Sequence, residues 1–292
     1  MRRITCDNHN GYVMTFDSTQ FSPFILARVD GLYNTSNNVI ITNNTMIDGG
    51  TYQSSIAKTR NIVLTLLDQP KNFYNVNNRM ILYTLFAKGE KGTLTYEEND
   101  IVRVIDYYVE NVERETKGTC PITVSLLCPD PFFYDIDYQS VQMANWEEDF
   151  EFEHDFIASG EELGHRVAVM SQDIINDFAA EDIGLEILLI AKGSVVNPKV
   201  TRVESNESIA IGSSENQFVL NSGEYIVITT GIGNKHVYLV SNGVMTEING
   251  YLTEDSVFIQ LQRGHNNIGY SADSGVANLE ITVRYRYKYE GA

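Results

Sequence analysis

A mainly β chain is what this sequence predicts, and three observations predict it. Short runs rich in Val, Ile, Tyr and Phe recur along its 292 residues. They are separated by Asn10-Gly11, Ser222-Gly223, Asn242-Gly243, Asn249-Gly250 and Ser274-Gly275, residue pairs suited to tight hairpin turns. Near the C-terminus, Leu279, Ile281, Val283, Tyr285, Tyr287 and Tyr289 alternate with Glu280, Thr282, Arg284, Arg286 and Lys288. That period of two reads as one long strand, not a helix.

Taken in order, the first half carries strand patterns at 61–67, 93–96, 101–113 and 122–127. One helix interrupts them: Ile81, Leu82, Leu85 and Phe86 share a face, and Lys88-Gly89 supplies its stop. Residues 34–44 are rich in Asn and Thr and read as a loop or exposed hairpin. Within them Val39, Ile40, Ile41 and Thr42 are strand-prone. In the second half, strands are expected at 185–191, 199–204, 217–220, 225–230, 236–240 and 257–262. A weaker helix is expected from a Ser171 cap through Ile174, Ile175 and Phe178 to Gly184. Short strands with such turns suggest a sandwich.

Residues 128–135, Cys-Pro-Asp-Pro-Phe-Phe-Tyr-Asp, divide the chain into 1–135 and 136–292. Pro129 and Pro131 lack a backbone donor and read as a rigid, extended exit. The charge changes sharply across them. Residues 1–135 hold 15 acidic and 12 basic side chains, residues 136–292 hold 24 and 9, and the whole chain is −18.

Composition and motifs exclude several function classes. Such a charge disfavours tracking phosphates, an affinity that comes from Lys and Arg displacing counterions, so no sequence-specific nucleic-acid binding is expected. No apolar run reaches the roughly 20 residues that span a bilayer, and no apolar segment follows Arg2-Arg3 as in a signal peptide. Cys6, Cys120 and Cys128 form no C-x-x-C and read as reduced thiols of a chain folded in a cytosol. The five histidines complete no zinc signature, and neither a G-x-S-x-G elbow nor a phosphate loop occurs. The expectation is no enzyme, no cofactor and no metal.

The strongest remaining feature is acidic. Residues 147–186 contain 13 acids and Arg166 alone as a base. If Phe150, Phe152, His154 and Phe156 face inward, Glu151, Glu153 and Asp155 line an outer strand face. Carboxylates in such a row suit calcium, yet no D-x-D-x-D-G loop is present, so a solvated or partner-facing surface is the preferred reading. With Trp146, the sole tryptophan, and Tyr251, which follows a turn, these residues are the candidates for a partner or glycan surface. Arg284, Arg286 and Lys288 form a basic stripe, read in preference as cross-strand partners of nearby carboxylates.

A family resemblance rests on pieces whose order matters more than any one of them. Phe21-Ser22-Pro23-Phe24, Val29-Asp30-Gly31, Asp48-Gly49-Gly50-Thr51-Tyr52 and Arg60-Asn61-Ile62-Val63-Leu64 come first. The helix before Lys88-Gly89, Gly92-Thr93-Leu94-Thr95-Tyr96, Arg103, Tyr108-Val109-Glu110 and Leu127-Cys128-Pro129-Asp130-Pro131-Phe132-Phe133 follow. In this order they resemble the N-terminal domain of siphophage distal tail proteins, the Dit family. The second half is similar to the sandwich that follows in that family, through Asn197-Pro198-Lys199-Val200, Gly264-His265-Asn266-Asn267-Ile268, Ser274-Gly275 and the last strand.

The resemblance implies an N-terminal β-barrel-like module with one packed helix, then a galectin-like or carbohydrate-module-like β-sandwich. It implies a structural protein of the virion tail, assembled in the host cytoplasm. Six copies would form a ring joining tail tube to tail tip or baseplate, with a channel for DNA. Partners would be further copies, a tail-tube protein and a tail-tip hub, with a receptor-binding protein as a further candidate. An arm near residues 34–46 can reach a neighbouring subunit in that family, which makes Val39, Ile40, Ile41 and Thr42 subunit-interface candidates. The alternative is a carbohydrate-binding module for host cell-wall recognition; a glycan hydrolase is a third reading. Residues 1–135 are expected to build the ring and residues 136–292 to face outward.

Overall fold

The computed structural model describes residues 2–19, 22–43, 48–69, 76–115, 120–148, 164–168, 171–177 and 182–292. The chain divides into two compact units. One is Met1–Ile136 together with Lys288–Ala292, and the other is Asp137–Tyr287. The charge divides with them. The first unit holds 16 acidic and 13 basic side chains, the second 23 and 8.

In the first unit the strands are β1 (Arg2–Asp7), β2 (Val13–Asp17), β3 (Phe24–Asp30), β4 (Asn37–Asn43), β5 (Gly50–Ala57) and β6 (Arg60–Asp68). After helix α1 (Val76–Leu85) come β7 (Lys91–Glu98), β8 (Ile101–Arg114), β9 (Ile122–Cys128) and β10 (Phe133–Asp135). Strands β8, β7, β1, β2, β3, β6 and β9 are neighbours in that order, and β9 pairs back onto β8. The result is a closed seven-stranded barrel. Its interior follows from alternation: Ile62, Leu64 and Leu66 on β6 and Ile122, Val124 and Leu126 on β9 are fully buried. Helix α1 adds Leu82 and Leu85, and Phe86 after it stacks on Phe16 with centroids 6.0 Å apart. Gly89, at φ +78°, lies just past the helix, where the stop was expected.

Gly31 shows why one piece of the sequence pattern is what it is. Its φ is +85°, and a Cβ there would lie 2.1 Å from the Asn61 carbonyl oxygen. Only glycine fits where the chain turns out of β3 against the start of β6.

The second unit contains β11 (Gln139–Glu148), β12 (Gly164–Ala168), β13 (Ser171–Asn176), β14 (Ile183–Gly184), β15 (Glu186–Ala191), β16 (Val195–Val196), β17 (Lys199–Arg202) and β18 (Glu207–Ala210). It continues with β19 (Val219–Leu220), β20 (Tyr225–Gly231), β21 (Asn234–Ser241), β22 (Val244–Glu247), β23 (Gln260–Leu261), β24 (Gly264–Ser271) and β25 (Leu279–Tyr285). A seven-stranded sheet runs β12-β11-β25-β15-β20-β21-β22, and a four-stranded one β13-β24-β17-β18. Their apolar rows meet in one core. Ile187, Leu189, Ile226, Ile228, Ile281 and Val283 come from the first sheet, and Ile174, Val200, Ile209 and Ile268 from the second. This is a β-sandwich.

Two expectations are corrected. Residues 171–176 form a strand, not the start of a helix, and pair with β24 in register Ser171↔Gly269 to Asn176↔Gly264. Ile174 is buried and Ile175 is exposed, as alternation requires; adjacent isoleucines had imitated a helical face. The expected eleven-residue final strand stops at Tyr285. The chain then returns to the first unit, where β26 (Lys288–Tyr289) pairs with β10. There Lys288 is buried, its ammonium 5.5 Å from the Phe132 ring and 5.9 Å from that of Tyr134.

Candidate assembly surface

Strands β4 and β5 form a sheet of their own, paired with no other strand among the described residues, from Asn37↔Ala57 to Asn43↔Gly50. All seven residues of β4 are exposed. Val39 is 51% exposed, Ile40 42% and Ile41 55%, and on β5 Tyr52, opposite Ile41, is 62% and Ile56, opposite Asn38, 60% exposed. A bulge between Ile40 and Ile41 shifts the register, so apolar side chains occupy both faces. Thr42, opposite Thr51, is exposed as well. The sequence candidates Val39, Ile40, Ile41 and Thr42 are thus brought together on one projecting hairpin. Among the described residues, five large apolar side chains thus lie exposed on a two-stranded ribbon whose outer edges are unpaired.

The base of the hairpin is rigid. The Lys58 amide donates to the Ser36 carbonyl at 2.8 Å, closing the ribbon. Two residues on, the buried Arg60 guanidinium lies 4.9 Å from the Phe133 ring centre. It donates to the carbonyls of Pro131 at 2.6 Å, and of Gly31, Tyr33 and Glu290. Burial pushes this guanidinium below its usual pKa, while charge at Cys128 and Glu290 opposes the shift. Arg103 adds a second clamp, donating to the Gly291 carbonyl and stacking over Tyr289. One arginine therefore ties the exit of β3, the start of β6, the proline exit and the C-terminal segment. Nothing in the sequence marked Arg60 except its place in a motif.

The second group of candidates is not assembled in the same way. Trp146 lies on β11 with its backbone opposite Arg166, while its side chain and Glu151, Glu153 and Asp155 lie outside the described residues. Tyr251 sits in the short turn Asn249–Tyr251 and meets Phe218 edge-on at 5.1 Å, which leaves it 38% exposed. The basic stripe is internally engaged. Arg284 pairs across the sheet with Glu186 at 3.3 Å, and Arg286 lies over Tyr138 at 4.6 Å. Among the described residues, no three His, Cys, Asp or Glu side chains gather as a metal site.

By sequence, no protein-family model and no curated protein matches the chain. By structure, solved proteins do. The Dit protein of phage SPP1, described as a paradigm of the hub adsorption apparatus in phages infecting Gram-positive hosts, superposes with a TM-score of 0.68 at 12% identity, over 99% of each chain. A chain of the phage P2 baseplate in its activated conformation with calcium gives 0.54 at 11% identity, and one from the activated conformation with strontium 0.52 at 11%, each over 100% of both chains. From the barrel through the sandwich to its last residues, this chain has the fold of a phage Dit protein.

Proposed function

We propose that the chain is a structural, non-catalytic ring component of a phage tail or tail-like particle. Six copies close through the first unit, join the tail tube to the tail tip or baseplate, and leave a passage for DNA. The observation that carries this reading is the β4–β5 hairpin: an uncovered apolar ribbon on a rigid base, in a fold shared with a phage hub protein. Charge supports the choice of contact. Six copies at −18 each bring −108 formal charges together. Exposed charges are screened only over about 8 Å at physiological salt, so contact through the near-neutral unit costs least. The acidic unit then stays out of the closing contact. A tail-tube protein and a tail-tip hub are the expected partners, with a receptor-binding protein as a further one, in the virion tail.

The test removes the hairpin from the whole chain. Residues 37–57 are replaced by a two-glycine turn, which the Ser36–Lys58 hydrogen bond already closes. Light scattering after size exclusion should show the wild type assembled and the variant single, with equal unfolding temperatures. A variant that still assembles like the wild type rejects this contact.

A further inference from the structure

The barrel has a gap. Strand β2 pairs with β1 from Val13 to Asp17, but on its other side it meets β3 only through the parallel bridge Asp17↔Ile25. In an antiparallel ladder successive residues turn their N–H and C=O groups to opposite sides. The Asn8 amide donates to the Tyr12 carbonyl, which fixes the phase: Tyr12 and Met14 bond toward β1, while Val13 and Thr15 face the gap. The Ser22 hydroxyl confirms it by donating to the Thr15 carbonyl at 3.0 Å. That is the one hydrogen bond made on this edge by the main chain of Val13 or Thr15 among the described residues. A groove of about 620 Å³ runs along this edge, with Val13, Thr15 and Ser22 on one wall and Asn78 and Ile81 of α1 on the other. Val13 is 56% exposed and Ile81 37%.

We infer that this edge receives the β4–β5 hairpin of a neighbouring copy, added as a further strand beside β2. The inference rests on the ring reading and names its receiving surface. Three properties make the hairpin the occupant. Each of its strands keeps one outer edge whose hydrogen-bonding groups are unpaired, matching the unpaired edge of β2. Its exposed Val39 and Ile41 match the apolar Val13 and Ile81. Its charge also fits: residues 31–47 are the longest stretch of the chain without a formal charge. The groove carries little charge: Arg3 pairs with Glu97 at 3.2 Å on its margin, and Asp17, buried and accepting from Thr19, leaves it one net negative charge. In a chain of −18 such weakly charged surfaces are the ones that approach another copy with least repulsion. The seven residues of β4 span about 24 Å, enough to cover the roughly 17 Å of β2 at about 3.4 Å per residue. Hairpin into groove is also a head-to-tail contact, the type that generates rings when the rotation closes.

Cysteine cross-linking of the full chain tests this. In a Cys120→Ser background, chains carrying Val13→Cys are mixed with chains carrying Val39→Cys, Ile40→Cys, Ile41→Cys or Thr42→Cys, then oxidised. Covalent dimers should form in the mixtures for at least one hairpin position, and far less with either chain alone. Val13→Lys, at an exposed side chain, should lower the assembled fraction at least tenfold at an unchanged unfolding temperature. Rings that form without any such cross-link overturn the groove and leave the ring intact. Chains that stay single at every concentration overturn both.

Discussion

Replacing Arg60 by methionine is the sharpest test of how the first unit is held together. The substitution keeps an unbranched apolar stem and removes a donor to four carbonyls, those of Gly31, Tyr33, Pro131 and Glu290. A hydrogen bond from a charged donor is worth about 1.5–3 kcal/mol, and a buried acceptor left unpaired costs about 1–3 kcal/mol. The four share one donor and are not additive, so the expected loss is about 3–5 kcal/mol. With a urea slope near 2 kcal/mol/M for a unit of this size, the midpoint should fall by about 2 M. Trp146 belongs to the second unit, so its fluorescence reports the wrong transition. Pulsed labelling of Cys6 and Cys128, both buried in the barrel, reports the right one. Arg60→Lys, with its charge but fewer donors, should fall between. A methionine variant within 1 kcal/mol of the wild type would show that the clamp does not hold these segments together.

The remaining predictions concern individual groups. Burial pushes the Cys6 thiol far above its usual pKa and Cys128 up to about 12. At pH 8 the native protein should therefore react with one equivalent of a thiol reagent, at Cys120, and with three only after unfolding; three fast equivalents in the native state would contradict the buried placement. His265 donates from Nδ1 to an Asp173 carboxylate oxygen at 2.6 Å, and this bond, with the charge of the same carboxylate, raises its pKa above 6.5. Its contribution to stability is present below pH 6.5 and fades as the pH rises through the folded value. A proton-resonance titration should give a midpoint above 6.5 that drops in Asp173→Asn; an unshifted midpoint removes the pair.

What was legible in the sequence followed the alternation of side chains. Strands at 61–67, 93–96, 101–113 and 122–127 lie within β6, β7, β8 and β9 because β6, β7 and β9 each bury one face and β8 does so from Ile105 to Val109. The helix was legible because Leu82, Leu85 and Phe86 sit one turn apart and all reach the core. What failed did so where pairing, not pattern, decides. Tyr285, Tyr287 and Tyr289 keep one parity, yet the chain leaves one sheet after Tyr285 and enters another at Lys288. The period cannot reveal that Lys288 is the buried residue, since its partners Phe132 and Tyr134 lie some 150 residues earlier. Val39, Ile40, Ile41 and Thr42 stood out because apolar residues set among asparagines have no core to enter. The open edge of β2 left no such mark, for Val13 to Phe16 alternates like any paired strand. Closure of the barrel and its gap are properties of the ladder.

The central claim is self-association through the first unit, and images of the purified full-length chain address it most directly. Negative-stain class averages at high protein concentration, with and without a tail-tube protein, should show an annulus of six copies around an open centre. Particles the size of one 32.9 kDa chain under both conditions would contradict it.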